Sequence, residues 1–103
     1  MRVLALAVVS LVVSAASAQA DDATLLFKKY KCTTCHAADH RVGMAPSYDE
    51  IMKKYAGKAD AGAHLVKVIK TGGGGVWGMT NMPAQATVPD TDVEMMVTWI
   101  LKH

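Results

Sequence analysis

Apolar residues recur along this chain at the spacing of helices, and strand-like alternation is nowhere sustained. The first helical segment, residues 23–31, follows an acidic start and groups Leu26, Phe27 and Tyr30 on one side. A second segment opens at Pro46 and Ser47 and ends at Gly57. Its apolar positions, at i, i+3, i+4 and i+7, are Tyr48, Ile51, Met52 and Tyr55. The pattern predicts an all-α fold.

Two more helices are predicted in the second half of the chain. Residues 60–70 form one, with Asp60 as its N-cap and Thr71-Gly72 as its stop. The last begins at a capping-box pattern, Thr91 with Glu94, and keeps apolar residues at helical spacing to Leu101. Between them, residues 72–89 hold four consecutive glycines and two prolines. A loop of this length in a small domain is usually functional.

The first twenty residues have the features of a secretory signal peptide. Arg2 supplies a positive start, residues 3–13 form a run that is apolar except for Ser10, and small residues lead to Ala18-Gln19-Ala20. The alternative, an uncleaved membrane anchor, would need roughly 20 apolar residues. We expect cleavage after Ala20, which leaves residues 21–103 as one exported domain with no stable membrane insertion.

Charge and size narrow the possible functions of this domain. The chain has eleven Lys and Arg residues, one of them Arg2, against nine Asp and Glu, so no nucleic-acid partner is expected. A domain this small often needs a disulfide, a metal or a prosthetic group for stability. A disulfide between Cys32 and Cys35 would close a tiny loop and stabilise little, so another use of these cysteines is expected.

The segment Cys32-Thr33-Thr34-Cys35-His36 has the C-x-x-C-H pattern of c-type haem attachment. The two thiols can add to vinyl groups on one haem edge, and the adjacent histidine can then ligate the iron. A thioredoxin-like site would be expected near a βαβ pattern, and a zinc site would need a second pair of ligands. The motif therefore predicts one haem c, attached through Cys32 and Cys35, with His36 as an axial ligand.

Methionines offer the second axial ligand. Met52 and Met96 lie on predicted helix faces and are expected in the core, whereas Met79 and Met82 lie in the glycine-rich loop. Pro83 would stiffen the segment after Met82 and favours it, with Met79 as its rival. Three histidines are further alternatives: His40, His64 and His103.

Together these residues resemble the class I c-type cytochromes, specifically the short monohaem electron carriers of the bacterial periplasm. Besides the haem motif, several segments in order carry the resemblance: Phe27, Pro46-Ser47-Tyr48, Lys54-Tyr55-Ala56-Gly57, Val76-Trp77-Gly78, Met82-Pro83 and Trp99-Ile100-Leu101. The resemblance implies four to five short helices around one haem, with the N- and C-terminal helices crossing near Phe27 and Trp99.

The resemblance also implies a set of site residues. His36 and Met82 would ligate the iron, and the Pro46 carbonyl would accept a hydrogen bond from the His36 ring. Trp77 would donate its indole N–H to a haem propionate, unless it serves only in packing. Three positions depart from the family pattern: Met44 and Ala45 separate Gly43 from Pro46, Val68 replaces a propionate-binding Arg, and Gln85 stands where an Asn is common.

With both axial positions filled, the expected function is one-electron transfer without catalysis. The expected partners are redox proteins such as a membrane cytochrome complex, a terminal oxidase or reductase, or a dehydrogenase. Lysines could steer acidic partners to the haem edge, or could simply be solvated: Lys28, Lys29, Lys31, Lys53 and Lys54. The alternative function is a haem-based sensor or peroxidase-like protein in which the methionine detaches from the iron.

Overall fold

Four α-helices and one short 3₁₀ turn make up the regular structure of the computed structural model, which describes residues 7–8, 10, 16–78 and 81–103. The helices are α1 (Ala16–Lys29), α2 (Tyr48–Tyr55), α3 (Ala61–Thr71) and α4 (Asp90–Lys102), and the 3₁₀ turn is Cys32–Thr34. Within the described ranges, β-pairing is limited to isolated bridges. The all-α prediction is confirmed.

Helix α4 is the centre of the packing, because α1, α2 and α3 all contact it. Its inward face places four residues at i, i+3, i+4 and i+7, each at most 4% exposed: Val93, Met96, Val97 and Ile100. The rings of Phe27 on α1 and Trp99 on α4 meet edge to face, with centroids 5.3 Å apart. The expected contact between the first and last helices is therefore present. In the part of the chain that the structure describes, no helix is long and apolar enough to cross a membrane.

Helix α1 differs from its predicted range of 23–31. It begins seven residues earlier, at Ala16, and ends two residues earlier, at Lys29. The early end has a clear cause, because Lys31 adopts a left-handed conformation with φ +60° and turns the chain into Cys32. The expected cleavage point after Ala20 falls inside this helix, and residues 1–6, 9 and 11–15 of the proposed signal lie outside the described residues. Cleavage stays a prediction.

Helix capping also differs from the sequence-based expectation. The capping box lies on α2, where the Ser47 hydroxyl accepts from the Glu50 amide at 3.1 Å and Glu50 accepts from the Ser47 amide at 3.3 Å. The capping box predicted at Thr91 and Glu94 is wrong. Pro89 is the N-cap of α4, and its carbonyl already accepts hydrogen bonds from the first turn, which places Thr91 inside the helix. Asp60 is the N-cap of α3, as expected, but its side chain makes no capping hydrogen bond.

Replacing Ser47 by alanine is expected to lower the free energy of unfolding by about 1 kcal/mol, because a buried N-cap hydroxyl is lost. Urea denaturation of the holoprotein, followed by circular dichroism, would measure the loss. Thr91→Ala is the matched control and should change stability by less than about 0.5 kcal/mol, since Thr91 is exposed and is not a cap. Equal losses in the two variants would contradict the cap assignment.

Candidate haem site

A cavity of about 310 Å³ opens between the helices, and its wall is mainly apolar. Every residue predicted to bind the cofactor lines it: Cys32, Cys35, His36, Pro46, Trp77 and Met82. His64 and Met96 also reach its wall, whereas His40 and His103 do not. His40 pairs with Asp39 and His103 with Asp49. Met79 lies outside the described residues.

The local backbone brings the haem motif together at one side of the cavity. The Cys35 amide donates to the Cys32 carbonyl at 3.1 Å, and the His36 amide donates to the same carbonyl at 2.8 Å. This tight turn lets two thiols and one imidazole reach the same space. Cys32 and Cys35 do not form a disulfide with each other, and burial raises the pKa of the Cys32 thiol.

Two contacts orient the imidazole of His36. Its Nδ1 lies 2.8 Å from the Pro46 carbonyl oxygen. A carbonyl can only accept, so Nδ1 carries the proton and Nε2 keeps a free lone pair. The Tyr48 ring stacks beside it, with centroids 5.6 Å apart and planes 26° apart. His36 is thus held in the tautomer that a metal ligand needs.

Tyr48 also carries an unusual polar group in the cavity wall. Its side chain is 5% exposed and packs on Phe27, with ring centroids 4.5 Å apart. Its hydroxyl oxygen is buried and, among the described residues, has no hydrogen-bond partner. Burial raises the pKa of this phenol well above its ordinary value, so it stays protonated. Such a donor is costly unless a bound group satisfies it.

Met82 is held on the cavity wall by backbone pairing with the end of α3. Its amide donates to the Gly73 carbonyl at 2.7 Å, and the Gly73 amide donates back to the Met82 carbonyl at 3.2 Å. Gly72 makes this close approach possible. Its φ is +77° and its ψ 173°, and a Cβ at this position would lie 2.7 Å from the Met82 carbonyl oxygen. This region of backbone conformation belongs almost entirely to glycine.

Gly72→Ala is expected to destabilise the holoprotein by about 2–3 kcal/mol, through backbone strain and the clash with Met82. Because the sequence predicts Met82 as an axial ligand, the substitution should also change the visible absorption of the ferric haem. Gly57→Ala is the control, because Gly57 has φ +76° but nothing within 4 Å of the added Cβ. We expect it to cost about 1 kcal/mol with an unchanged spectrum. Equal effects of the two substitutions would rule out a special role for Gly72.

Trp77 lies half-buried at the cavity wall, and two cations lie over its ring. The Arg41 guanidinium is 5.7 Å and the Lys54 ammonium 5.6 Å from the ring centroid. The sequence pattern indicates Trp77 and Lys54 separately, and does not indicate Arg41. No local pattern connects Arg41 to Trp77, which lies 36 positions further along the chain.

The composition of this cavity fits a haem group. It offers apolar walls for a porphyrin, two neighbouring thiols for covalent attachment, and an imidazole with a free lone pair. It also contains a thioether and an unpartnered phenol donor. A compact zinc site is not supported, since the described residues form no cluster of three or more His, Cys, Asp or Glu ligands.

Comparisons with known proteins agree with this site. A family model described as "Cytochrome C oxidase, cbb3-type, subunit III" matches residues 18–100. The chain is 39% identical to cytochrome c-551 of Pseudomonas aeruginosa over 89 residues. The matched region covers 86% of this chain and 84% of that protein.

Solved structures extend the comparison to the fold. The crystal structure of wild-type Nitrosomonas europaea cytochrome c552 is similar, with a TM-score of 0.72 and 39% identity. The match covers 77% of this chain and 96% of the cytochrome c552 chain. The class 1 cytochrome MtoD from Sideroxydans lithotrophicus ES-1 is similar with a TM-score of 0.65 and 28% identity, over 79% of this chain and 91% of that one. The chain therefore belongs to the class I c-type cytochromes, electron-transfer proteins rather than enzymes, and carries one haem c attached through Cys32 and Cys35.

Proposed function

We propose that this cytochrome is a periplasmic one-electron carrier whose iron is ligated by His36 and Met82. The observation that carries the proposal is that both side chains line the same cavity, each on a backbone segment fixed by hydrogen bonds. Bound haem supplies a single Fe(III)/Fe(II) couple.

His36 is suited to its role by the contact with Pro46. The Pro46 carbonyl accepts a hydrogen bond from Nδ1–H and so fixes the ring orientation, which leaves Nε2 free to ligate the iron. Ser47 and Tyr48, which follow Pro46, are buried, so the backbone that presents the Pro46 carbonyl to His36 is rigid. A rigid ligand limits rearrangement between the two oxidation states.

Met82 is a better second ligand than the other side chains on the cavity wall. Met96 is fixed in the core by α4, one turn from Trp99, which packs on Tyr48 beside His36. His64 is engaged elsewhere, since its Nε2 lies 3.2 Å from the Tyr55 hydroxyl. Met82 comes from the opposite part of the chain, in an irregular segment that can extend over a haem face. A thioether at this position favours Fe(II) and raises the reduction potential relative to a second imidazole.

We infer the location and the partners from the sequence and from the charges on the surface. The proposed signal peptide, residues 1–20, would export the chain, and covalent attachment would prevent loss of haem there. Exposed lysines on α1 and α2 suit partners with acidic docking surfaces: Lys28, Lys29, Lys53 and Lys54. We propose membrane or periplasmic oxidoreductases as those partners.

Carbon monoxide binding to the reduced holoprotein tests the proposal. If Met82 closes the second face, the ferrous protein at neutral pH should be low-spin and should bind carbon monoxide only slowly. A high-spin spectrum with rapid carbon monoxide binding would instead support the haem-sensor function.

A further inference from the structure

The ring of Tyr48 is held by aromatic neighbours from three parts of the chain. It stacks on Phe27 of α1 with centroids 4.5 Å apart, and Trp99 of α4 meets it edge-on at 5.7 Å. The His36 ring of the haem motif lies 5.6 Å away, with ring planes 26° apart. Tyr48 is the first residue of α2, lines the haem cavity and is 5% exposed. Its hydroxyl therefore cannot turn out to water without disrupting this packing.

The hydroxyl of Tyr48 differs from those of the other two tyrosines in the chain. The Tyr30 hydroxyl donates to an Asp92 carboxylate oxygen at 2.5 Å. The Tyr55 hydroxyl lies 3.2 Å from Nε2 of His64. Tyr48 lines the same cavity as Tyr55 and His64, yet its buried hydroxyl has no hydrogen-bond partner among the described residues. Buried donors in folded proteins nearly always have a partner, so a group bound in the cavity is expected to supply the acceptor.

We propose that the Tyr48 hydroxyl donates a hydrogen bond to the attached haem. The acceptors that haem c offers are the carboxylate oxygens of its propionates and the thioether sulfurs formed with Cys32 and Cys35. The carboxylate is the stronger acceptor, whereas Cys32 packs against the core cluster that contains Tyr48. The bond offsets the cost of burying the phenol and ties the haem to the packing of α1, α2 and α4. The proposal rests on haem attachment and not on the proposed pair of axial ligands.

Proton NMR of the ferrous holoprotein observes this bond directly. We expect a slowly exchanging hydroxyl proton, assigned to Tyr48 by its absence in Tyr48→Phe, with nuclear Overhauser contacts to haem protons. Contacts to the propionate methylenes identify a carboxylate as the acceptor, and contacts to the thioether bridge at Cys32 identify the sulfur. A hydroxyl proton that exchanges too fast to be observed, or that contacts only protein protons, would overturn the proposal. Added carbon monoxide keeps the iron diamagnetic whichever side chain is the second ligand, so the result does not depend on Met82.

Tyr48→Phe removes only the hydroxyl and keeps the ring in its aromatic packing. If the hydroxyl is bonded to haem, urea unfolding of the variant holoprotein should give a folding equilibrium constant about five- to tenfold lower than that of the wild type. Tyr55→Phe is the matched control, because it removes a hydroxyl from the same cavity wall whose contact with His64 is exposed. It should change the constant by less than about twofold. An unchanged or higher constant in Tyr48→Phe would show that the hydroxyl is unpaired in the holoprotein and would contradict the proposal.

Discussion

A variant with both Cys32→Ala and Cys35→Ala is expected to be an unfolded chain that retains no covalent haem. The cavity of about 310 Å³ explains the size of the effect. At ~24 cal/mol for each Å³, an empty space of this volume costs on the order of 7 kcal/mol. Part of the cavity is open to solvent, so this figure is an upper bound. It still matches the whole stability of a typical domain, about 5–15 kcal/mol.

Far-ultraviolet circular dichroism and a pyridine haemochrome assay would test this expectation. The double variant should lack helical signal and covalent haem, whereas Thr33→Ala, an exposed change between the two cysteines, should keep both. A double variant with a cooperative unfolding transition like that of the native protein would show that the helices pack without the attached haem.

Local patterns predicted the elements that build this site. The haem motif needs only five consecutive residues, and its tight turn brings the side chains of Cys32, Cys35 and His36 to one cavity. The buried face of α4 follows from helical spacing alone, because a helix with one apolar stripe must bury it. Short-range rules suffice where the chemistry or the packing face is carried by one element.

The ends of the helices were harder to predict than the helices themselves, because more than one residue near an end can serve as its cap. Lys31 lacks the conformational freedom of glycine, and nothing in its side chain indicates the left-handed turn that it adopts before Cys32. At α4, Thr91 and Glu94 fit a capping box, yet Pro89 starts the helix two residues earlier. Its fixed φ, here −57°, suits the backbone at that position.

Contacts between distant segments could not be read from the sequence. Arg41 and Lys54 meet Trp77 only after α2 and the glycine-rich segment have packed around the cavity. The unpartnered hydroxyl of Tyr48 is likewise a product of three-dimensional burial. Both features depend on which parts of the chain pack against each other. The periodicity of apolar residues in one sequence does not predict that packing.

Replacement of Met82, the proposed second axial ligand, by leucine is expected to open one face of the iron while keeping the apolar volume of the side chain. The ferrous holoprotein should become high-spin and bind carbon monoxide rapidly. Its reduction potential should fall by on the order of 0.1 V, a modest part of the ~0.8 V range that axial ligands span. The fall follows from losing a soft sulfur donor that stabilises Fe(II) relative to Fe(III).

Met52→Leu is the control for the loss of a thioether as such. Met52 lies on α2 and does not line the cavity. The absorption spectrum and the reduction potential of the Met52→Leu variant should therefore match those of the wild type. Met79→Leu completes the comparison, because Met79 is the rival ligand by sequence. A spectral change in Met79→Leu with none in Met82→Leu would transfer the ligand role to Met79. The backbone geometry favours the opposite result, since two hydrogen bonds with Gly73 hold Met82 at the cavity wall.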